Sequence, residues 1–596
     1  MLTMKSKRLT ALVLVLCMML AGTALAEDKY NAGTYTATAP GYGGDVEVTV
    51  EVSNDAIVSV NAEGPAETEG IGSIAIEQLP KAIVEHQTLS VDTLAGCTVS
   101  SEAVLAAAEA ALKEAGGADE VIFAEKEAST EAKPEETIDC NVVIVGAGAA
   151  GLSAALSAHE NGVKDILVLE KMPAIGGATA TAGGGMPGYV VSDDPDVTER
   201  NIEELFLKLS RIGKFQNNAR LTMMQARLST PTIEWLKSEG VGITGGPVEG
   251  EPIAHYGCEG RAVKAINTLY DRVLSENIPV MLNTRATHLI MDGNAVTGVE
   301  AVGEAGQKIT INANKVLMAT GGYGNNTDLI ADTSILDRVI YYGPVCSTGD
   351  GHIMMKEIGV PMFNMDKVAT KHFGVETEPG YGIHIHYLVA QLFKKTGAIA
   401  VNSDCERVVN EDGDELDIAL ASMYKSKDGR LYIVMDQEGF DLSEEVLDAN
   451  TMLKKDKIAQ LIEENGAGVT KFVKGETLEE AAAALGLDGD KLVETVNIYN
   501  ENAAAGGQDP FKREITPVMS TDGPFYILQT VARFATSLGG VNVSDNFEVL
   551  DINEQPIPGL YAAGEVVGNI NGAYAEYLIW CFSSGMEFGK IIGQAE

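Results

Sequence analysis

The stretch that most constrains this chain runs from Asn141 to Gly151, where Val142-Val143-Ile144-Val145 empties into Gly146-Ala147-Gly148-Ala149-Ala150-Gly151. A short β-branched run followed by clustered glycines predicts a strand, a tight turn and a helix. The three glycines do separate work. Gly146 permits the sharp turn, Gly148 lets backbone approach a pyrophosphate, and Gly151 lets a helix pack on a strand. A second apolar run, Ile166-Leu167-Val168-Leu169, ends in Glu170 about 20 residues further on, where a carboxylate can accept hydrogen bonds from an adenosine ribose. The pattern predicts a dinucleotide site using Gly146, Gly148, Ala150, Gly151 and Glu170. The bland alternative is a glycine-rich turn that binds nothing.

At 596 residues the chain exceeds one hydrophobic core and divides into about three or four units. Lys5, Lys7 and Arg8 precede the apolar run Leu9 to Leu20, and Ala24-Leu25-Ala26 has the small-residue spacing of a cleavage site. Residues 1–26 therefore read as an export signal that is removed, which predicts an extracytoplasmic protein, in the periplasm or at the cell surface. Cys17 lies inside the apolar run behind Leu16, which argues against a lipoprotein. The formal charge of −42 falls further once the signal is gone, and such a surface repels nucleic acid and anionic lipid. Six cysteines remain, Cys97, Cys140, Cys258, Cys346, Cys405 and Cys581, with no CxxC pair. That excludes a zinc cluster and a c-type haem, so no metal is expected and redox chemistry needs another carrier.

In the first unit, placed at residues 27–117, Val46, Val48, Val50 and Val52 alternate with polar residues as a half-buried strand does. Asn54-Asp55 turns the chain into Ala56 to Val60. Helices are expected around Ile74–Val84 and, rich in alanine, over Ser101–Ala115. Glu69-Gly70-Ile71-Gly72 followed by Asp92 to Ser101 resembles the FMN-binding domain of exported flavoproteins. The resemblance implies FMN held covalently through a phosphoester on Thr98 by a separate flavin transferase. This chain has Ala95-Gly96-Cys97-Thr98 where that family shows Ser-Gly-Ala-Thr. Residues 118–137, charged and carrying Pro134, read as a linker.

Beyond the opening motif, Lys171 to Met186 is too rich in glycine and alanine to build a core and suits a loop against a flat ligand, with Thr179, Gly184 and Gly185 as candidates. This resembles the FAD domain shared by soluble fumarate reductases, urocanate reductases and ketosteroid dehydrogenases, and the likeness extends over about 138–596. Asn283-Thr284-Arg285-Ala286 fits its adenine side, with Ala286 at the site. Ala319-Thr320-Gly321-Gly322 fits the pyrophosphate loop through Gly321. Thr348-Gly349-Asp350-Gly351 and Gly559 to Glu565 fit flavin and ribityl loops, bringing in Asp350 and Glu565, and Ser583 is expected to open the last helix against the flavin pyrimidine edge. The resemblance implies noncovalent FAD and an α/β architecture. A Rossmann-like FAD domain (138–359 and 534–596) would carry an inserted α+β capping domain (360–533), behind the small α+β FMN-binding domain.

The departures from that family bear on the substrate. Its proton-donating arginine falls at Glu415, its histidines before Gly539-Gly540 fall at Ala535 and Thr536, and its later carboxylate-binding arginine has no counterpart after Arg533. A dicarboxylate needs paired cations, so fumarate is not the expected acceptor. Proton-donor candidates are Tyr577, Glu415, Tyr381 and His372, with His384, His386 and Tyr574 beside them. For Glu415 the bland reading is a solvated residue of the acidic run Glu411 to Glu415. The expected function is an exported two-flavin reductase, acting on CH–CH groups, that passes electrons from FMN to FAD and on to an activated C=C bond of a small urocanate- or enoate-like acceptor. Its electron donor would be extracytoplasmic or membrane-bound. The alternatives are a 3-ketosteroid-type dehydrogenase or a noncatalytic flavin electron carrier.

Overall fold

The structure, a computed structural model, describes residues 29–67, 72–94, 97–124, 134–506, 509–514, 517–570 and 577–594, with only the backbone of Thr98. The chain separates into two compact units, Met1–Ser129 and Thr130–Glu596.

In the smaller unit the strand Asp45–Val52 lies between Gly33–Pro40 and Ile57–Glu63 in an antiparallel sheet. Val46, Val48 and Val50 are fully buried on one face, as their alternation predicts. Over that face lie the helices Gly72–His86, burying Leu79 and Ile83, and Thr98–Glu114, burying Ala107, Ala108, Ala111 and Leu112. The second helix begins at Thr98, earlier than the expected Ser101. Both serines are occupied elsewhere: Ser101 Oγ donates to the Cys97 carbonyl at 2.9 Å and Ser100 Oγ to the buried Glu67 carboxylate at 2.6 Å. The linker expected from residue 118 also starts later, since the short helix Asp119–Ile122 buries Ile122 in this unit's core.

In the larger unit Glu136–Val145 is the central strand, flanked in parallel by Ile166–Leu169 and Lys308–Met318. Val280–Met281 and Pro556–Ala562 extend the parallel set. Ile166–Leu169 and the carboxyl-terminal residues Val142 to Val145 and Val316 to Met318 are buried and read as continuous apolar runs, and each fully buried valine or leucine contributes about 1.5–3 kcal/mol. The helix Ala149–Glu160 packs on this sheet, and the last helix, Tyr577–Gln594, packs on that helix. A Cβ at Gly585 would meet the Ala150 carbonyl oxygen at 2.1 Å and one at Gly589 the Ala158 nitrogen at 2.4 Å, so the two backbones are in contact.

A second, seven-stranded sheet forms the cap. Its longest strand, Phe525–Ser537, pairs with Val368–Glu378 and Arg430–Met435, and also with Val339–Tyr341. The sequence boundaries placed Val339–Tyr341 in the FAD domain and cut the long strand at Phe534. The sheet takes in both pieces because short flanking strands are stabilised by pairing to the long one. Among the described residues no helix is long and apolar enough to cross a membrane.

Candidate flavin and substrate site

A cleft opens at the carboxyl ends of the parallel strands, where Val145, Leu169, Ala319 and Gly564 line it. Ligands bind there in open α/β sheets. The glycine turn forms one wall. Gly146 has φ +112°, and a Cβ there would come within 2.3 Å of the Ala319 carbonyl oxygen. A Cβ at Gly151 would sit 1.8 Å from the Gly146 carbonyl oxygen, whereas one at Gly148 meets nothing nearer than 3.6 Å. Gly148 thus keeps space rather than packing. It caps the helix Ala149–Glu160 without a side-chain hydrogen bond, leaving a helix N-terminus suited to phosphate. The residues present fit FAD on these grounds.

Around the cleft, Glu170 accepts the backbone N–H groups of Ala147 and Met172, each at 2.9 Å. Burial pushes its pKa up, against the pull of those donors. Thr179 Oγ1 accepts from Ala149 N at 3.3 Å. Ala150, Ala286 and Gly321 line the cleft, whereas Gly184 and Gly185 lie at the start of the strand Gly185–Tyr189, outside its lining. Asp350, expected among the ribityl loops, lines the cleft and is gripped by Arg285 through two hydrogen bonds of 2.9 and 3.0 Å and by Lys171 at 3.1 Å. Burial raises its pKa, but Arg285 and Lys171 outweigh that and hold it below the usual carboxylate range. Lys171 and Arg285 were not singled out from sequence, although each adjoins a residue that was.

Glu565 accepts from Ser537 N at 3.0 Å and from Ser537 Oγ at 3.1 Å, and burial raises its pKa to about 7. Tyr577 is buried beside it, its hydroxyl without a hydrogen-bond partner among the described residues. Burial and the Glu565 charge hold that phenol well above its usual pKa. Ser583 does not open the last helix. The helix already includes Tyr577, so Ser583 lies in its second turn, buried, with Oγ donating to the Ile579 carbonyl at 2.6 Å and 3.0 Å from Thr232 Oγ1. The apolar residues Tyr577 to Trp580, which precede the serine pair, continue helical periodicity through it.

A second group of polar side chains adjoins the cleft. Glu415 opens the helix Glu415–Lys425, capped by Asp414, and is not the solvated loop residue of the bland reading. Its Oε1 lies 3.9 Å from His372 Nδ1 and 3.6 Å from His386 Nδ1. A bulge aims His372: the register slips between Lys371 and Gly374, and Phe373 takes φ +43°. Arg533, on the adjacent strand, donates from Nε to the His372 carbonyl at 2.9 Å and stacks its guanidinium on Tyr342 at 4.4 Å. Tyr342 also meets His384 edge-on at 5.8 Å. Four and five residues beyond Tyr342, Cys346 and Ser347 line the cleft, so one short segment joins the two regions. Tyr381 borders the group, its hydroxyl donating to the Gly343 carbonyl at 3.0 Å. Burial, with Arg533 among the cations, lowers His372 and His384 to about 4. Glu415, although burial opposes it, is held below its usual pKa by His372, Lys371 and Arg533. Of the proton-donor candidates, the structure thus brings Glu415, His372 and His386 together, sets Tyr381 and His384 at the edge, and leaves Tyr577 with Glu565. Thr98 (side chain), Glu69, Gly70, Ile71, Ala95, Gly96 and Tyr574 lie outside the described residues.

Residues 141–576 match the FAD-binding domain family, and residues 41–113 the FMN-binding domain family. The urocanate reductase of Eggerthella lenta is 30% identical over 562 residues, spanning 91% of this chain and 88% of that protein. The NADH:acrylate oxidoreductase of Vibrio harveyi is 28% identical over 642 residues, which take in 95% of this chain but 61% of the longer relative. The open conformation of a flavocytochrome c3 fumarate reductase aligns with a TM-score of 0.60 at 26% identity, covering 77% of this chain and 78% of that one. A glycine-cradled cleft at the strand ends, a cap sheet beside it and both domain matches lead to one assignment: the chain belongs to the FAD-dependent fumarate and urocanate reductase-like flavoproteins that carry an FMN-binding domain.

Proposed function

We propose that the protein is an exported two-flavin reductase that saturates an activated C=C bond of a small unsaturated monocarboxylate. The observation that carries this reading is the pairing of one stacked, buried arginine with one carboxylate beside the cofactor cleft. Arg533 spends Nε on the His372 carbonyl and its face on Tyr342, and its two Nη groups suit a carboxylate fork. Glu415 then opposes a second carboxylate on the acceptor, because two like charges in a half-buried site repel each other. An aromatic, neutral or hydrogen-bond-donating far end fits better, which accords with relatives named for urocanate and acrylate. Bound FAD would supply the hydride. The chain's own part is to anchor the acceptor at Arg533, exclude water beneath the cap sheet and deliver a proton from the Glu415 group.

In this reading Thr98 carries FMN, attached by a flavin transferase, and electrons arrive from a donor outside the cytoplasm or in the membrane. The signal-like residues 1–26 support export. Dye-reduced holoenzyme is expected to be reoxidised by urocanate-, cinnamate- or acrylate-type monocarboxylates and much more slowly by fumarate. Reoxidation by none of them would sink the reading.

A further inference from the structure

The three side chains His386, Glu415 and His372 differ in their access to water. His386 is 52% exposed and Glu415 29%, while the His372 side chain is 8% exposed, and one carboxylate oxygen faces Nδ1 of both rings. The nearest ring and carboxylate atoms of the three lie within 4.8 Å of one another. His372 Nδ1 is buried and makes no hydrogen bond among the described residues. It therefore faces Glu415, 3.9 Å away, with no hydrogen-bond partner among the described residues.

We propose that His386, Glu415 and His372 form a proton relay from solvent to the acceptor, with His372 as the group that protonates the substrate carbon and Glu415 and His386 as the residues that reload it. The inference rests on the reductase reading. In the balanced step, the reduced flavin gives a hydride, with its electron pair, to one carbon of the double bond, and the adjacent carbon takes a proton from His372. The ring that has given up a proton keeps the other on the nitrogen facing Glu415, so it turns over before Glu415 reloads the bare nitrogen from His386, and His386 takes a proton from water. One hydride and one proton enter, a C=C bond becomes a C–C bond, and no other reactant is required.

The electrostatics agree. Burial is the largest influence on His372 and favours the neutral ring, as do Arg533, His386 and Lys371, whereas Glu415 favours the charged one. An acceptor carboxylate seated on Arg533 offsets that cation and moves His372 toward the protonated form. The ring is then charged when the acceptor is in place rather than while the site is open.

The decisive experiment compares holoenzyme with Glu415→Gln and His386→Ala variants, checking first that FAD and FMN contents are unchanged. NMR titration of the histidines, independent of turnover, is expected to show His372 titrating lower in Glu415→Gln. In reoxidation of the reduced enzyme by its acceptor, Glu415→Gln is expected to lose about 100-fold in rate with little change in KM. His386→Ala should lose about tenfold and recover on adding imidazole, which a merely structural role would not produce. Wild-type turnover beside variants that keep its rate and its histidine titrations would overturn the relay alone. A wild type that no acceptor reoxidises would defeat the reductase reading and the relay with it.

Discussion

At Gly151 and Gly148 the same mutation has opposite meanings. Gly151→Ala forces a Cβ to 1.8 Å from a carbonyl oxygen that cannot retreat, so the large unit should lose about 3 kcal/mol or more and recover poorly as soluble protein. Gly148→Ala meets no such obstacle, and the variant should fold with a normal circular dichroism spectrum while retaining little FAD on gel filtration. Glu565 gives a pH-dependent test. Its carboxyl titrates near 7 against an ordinary 4.5, so the folded state holds the proton more tightly than the unfolded chain does. The stability this contributes is full below about 4.5 and lost as pH rises through about 7. Flavin-free Glu565→Gln should therefore melt higher than wild type at pH 8, by an amount on the order of 2 kcal/mol, and lose most of that advantage by pH 5. The residues legible in sequence were those whose job is local. Gly146, Gly151 and Glu170 act within one βαβ turn. Arg533 was read only as the last arginine of the chain, because its contacts, His372 and Tyr342, are more than 150 residues away.

Elements were legible where periodicity was strong and blurred where side chains answer to backbone. Val46 to Val52 and Val142 to Val145 are buried as their patterns require. The serines of the two misplaced helix starts, Ser101 and Ser583, look like caps in sequence, yet both donate back to a carbonyl four residues earlier. The contact between Ala149–Glu160 and Tyr577–Gln594 depends on glycine at the crossing. Replacing Gly589 by leucine places a branched side chain against the Ala158 backbone, and the expected loss is about 3 kcal/mol or more, read as a lowered thermal midpoint with early release of FAD.

For the whole molecule, two flavins in two separately packed units predict separable losses. Thr98→Val should remove the flavin that survives denaturation and leave the released FAD at one per chain, as absorbance before and after acid precipitation would show. Equal loss of both flavins would contradict independent sites. Partition into two units was visible in the charged segment around Pro134, but the weaving of the cap into the FAD domain was not, because it is made by strand pairing between distant segments. The strand Phe525–Ser537 carries Arg533 in the cap sheet and, about 13 Å along the same backbone, holds Glu565 at the cofactor cleft through Ser537. Such a strand behaves as a stiff crossbeam. A substitution that shifts Arg533 at one end is therefore expected to disturb the Ser537–Glu565 hydrogen bonds at the other.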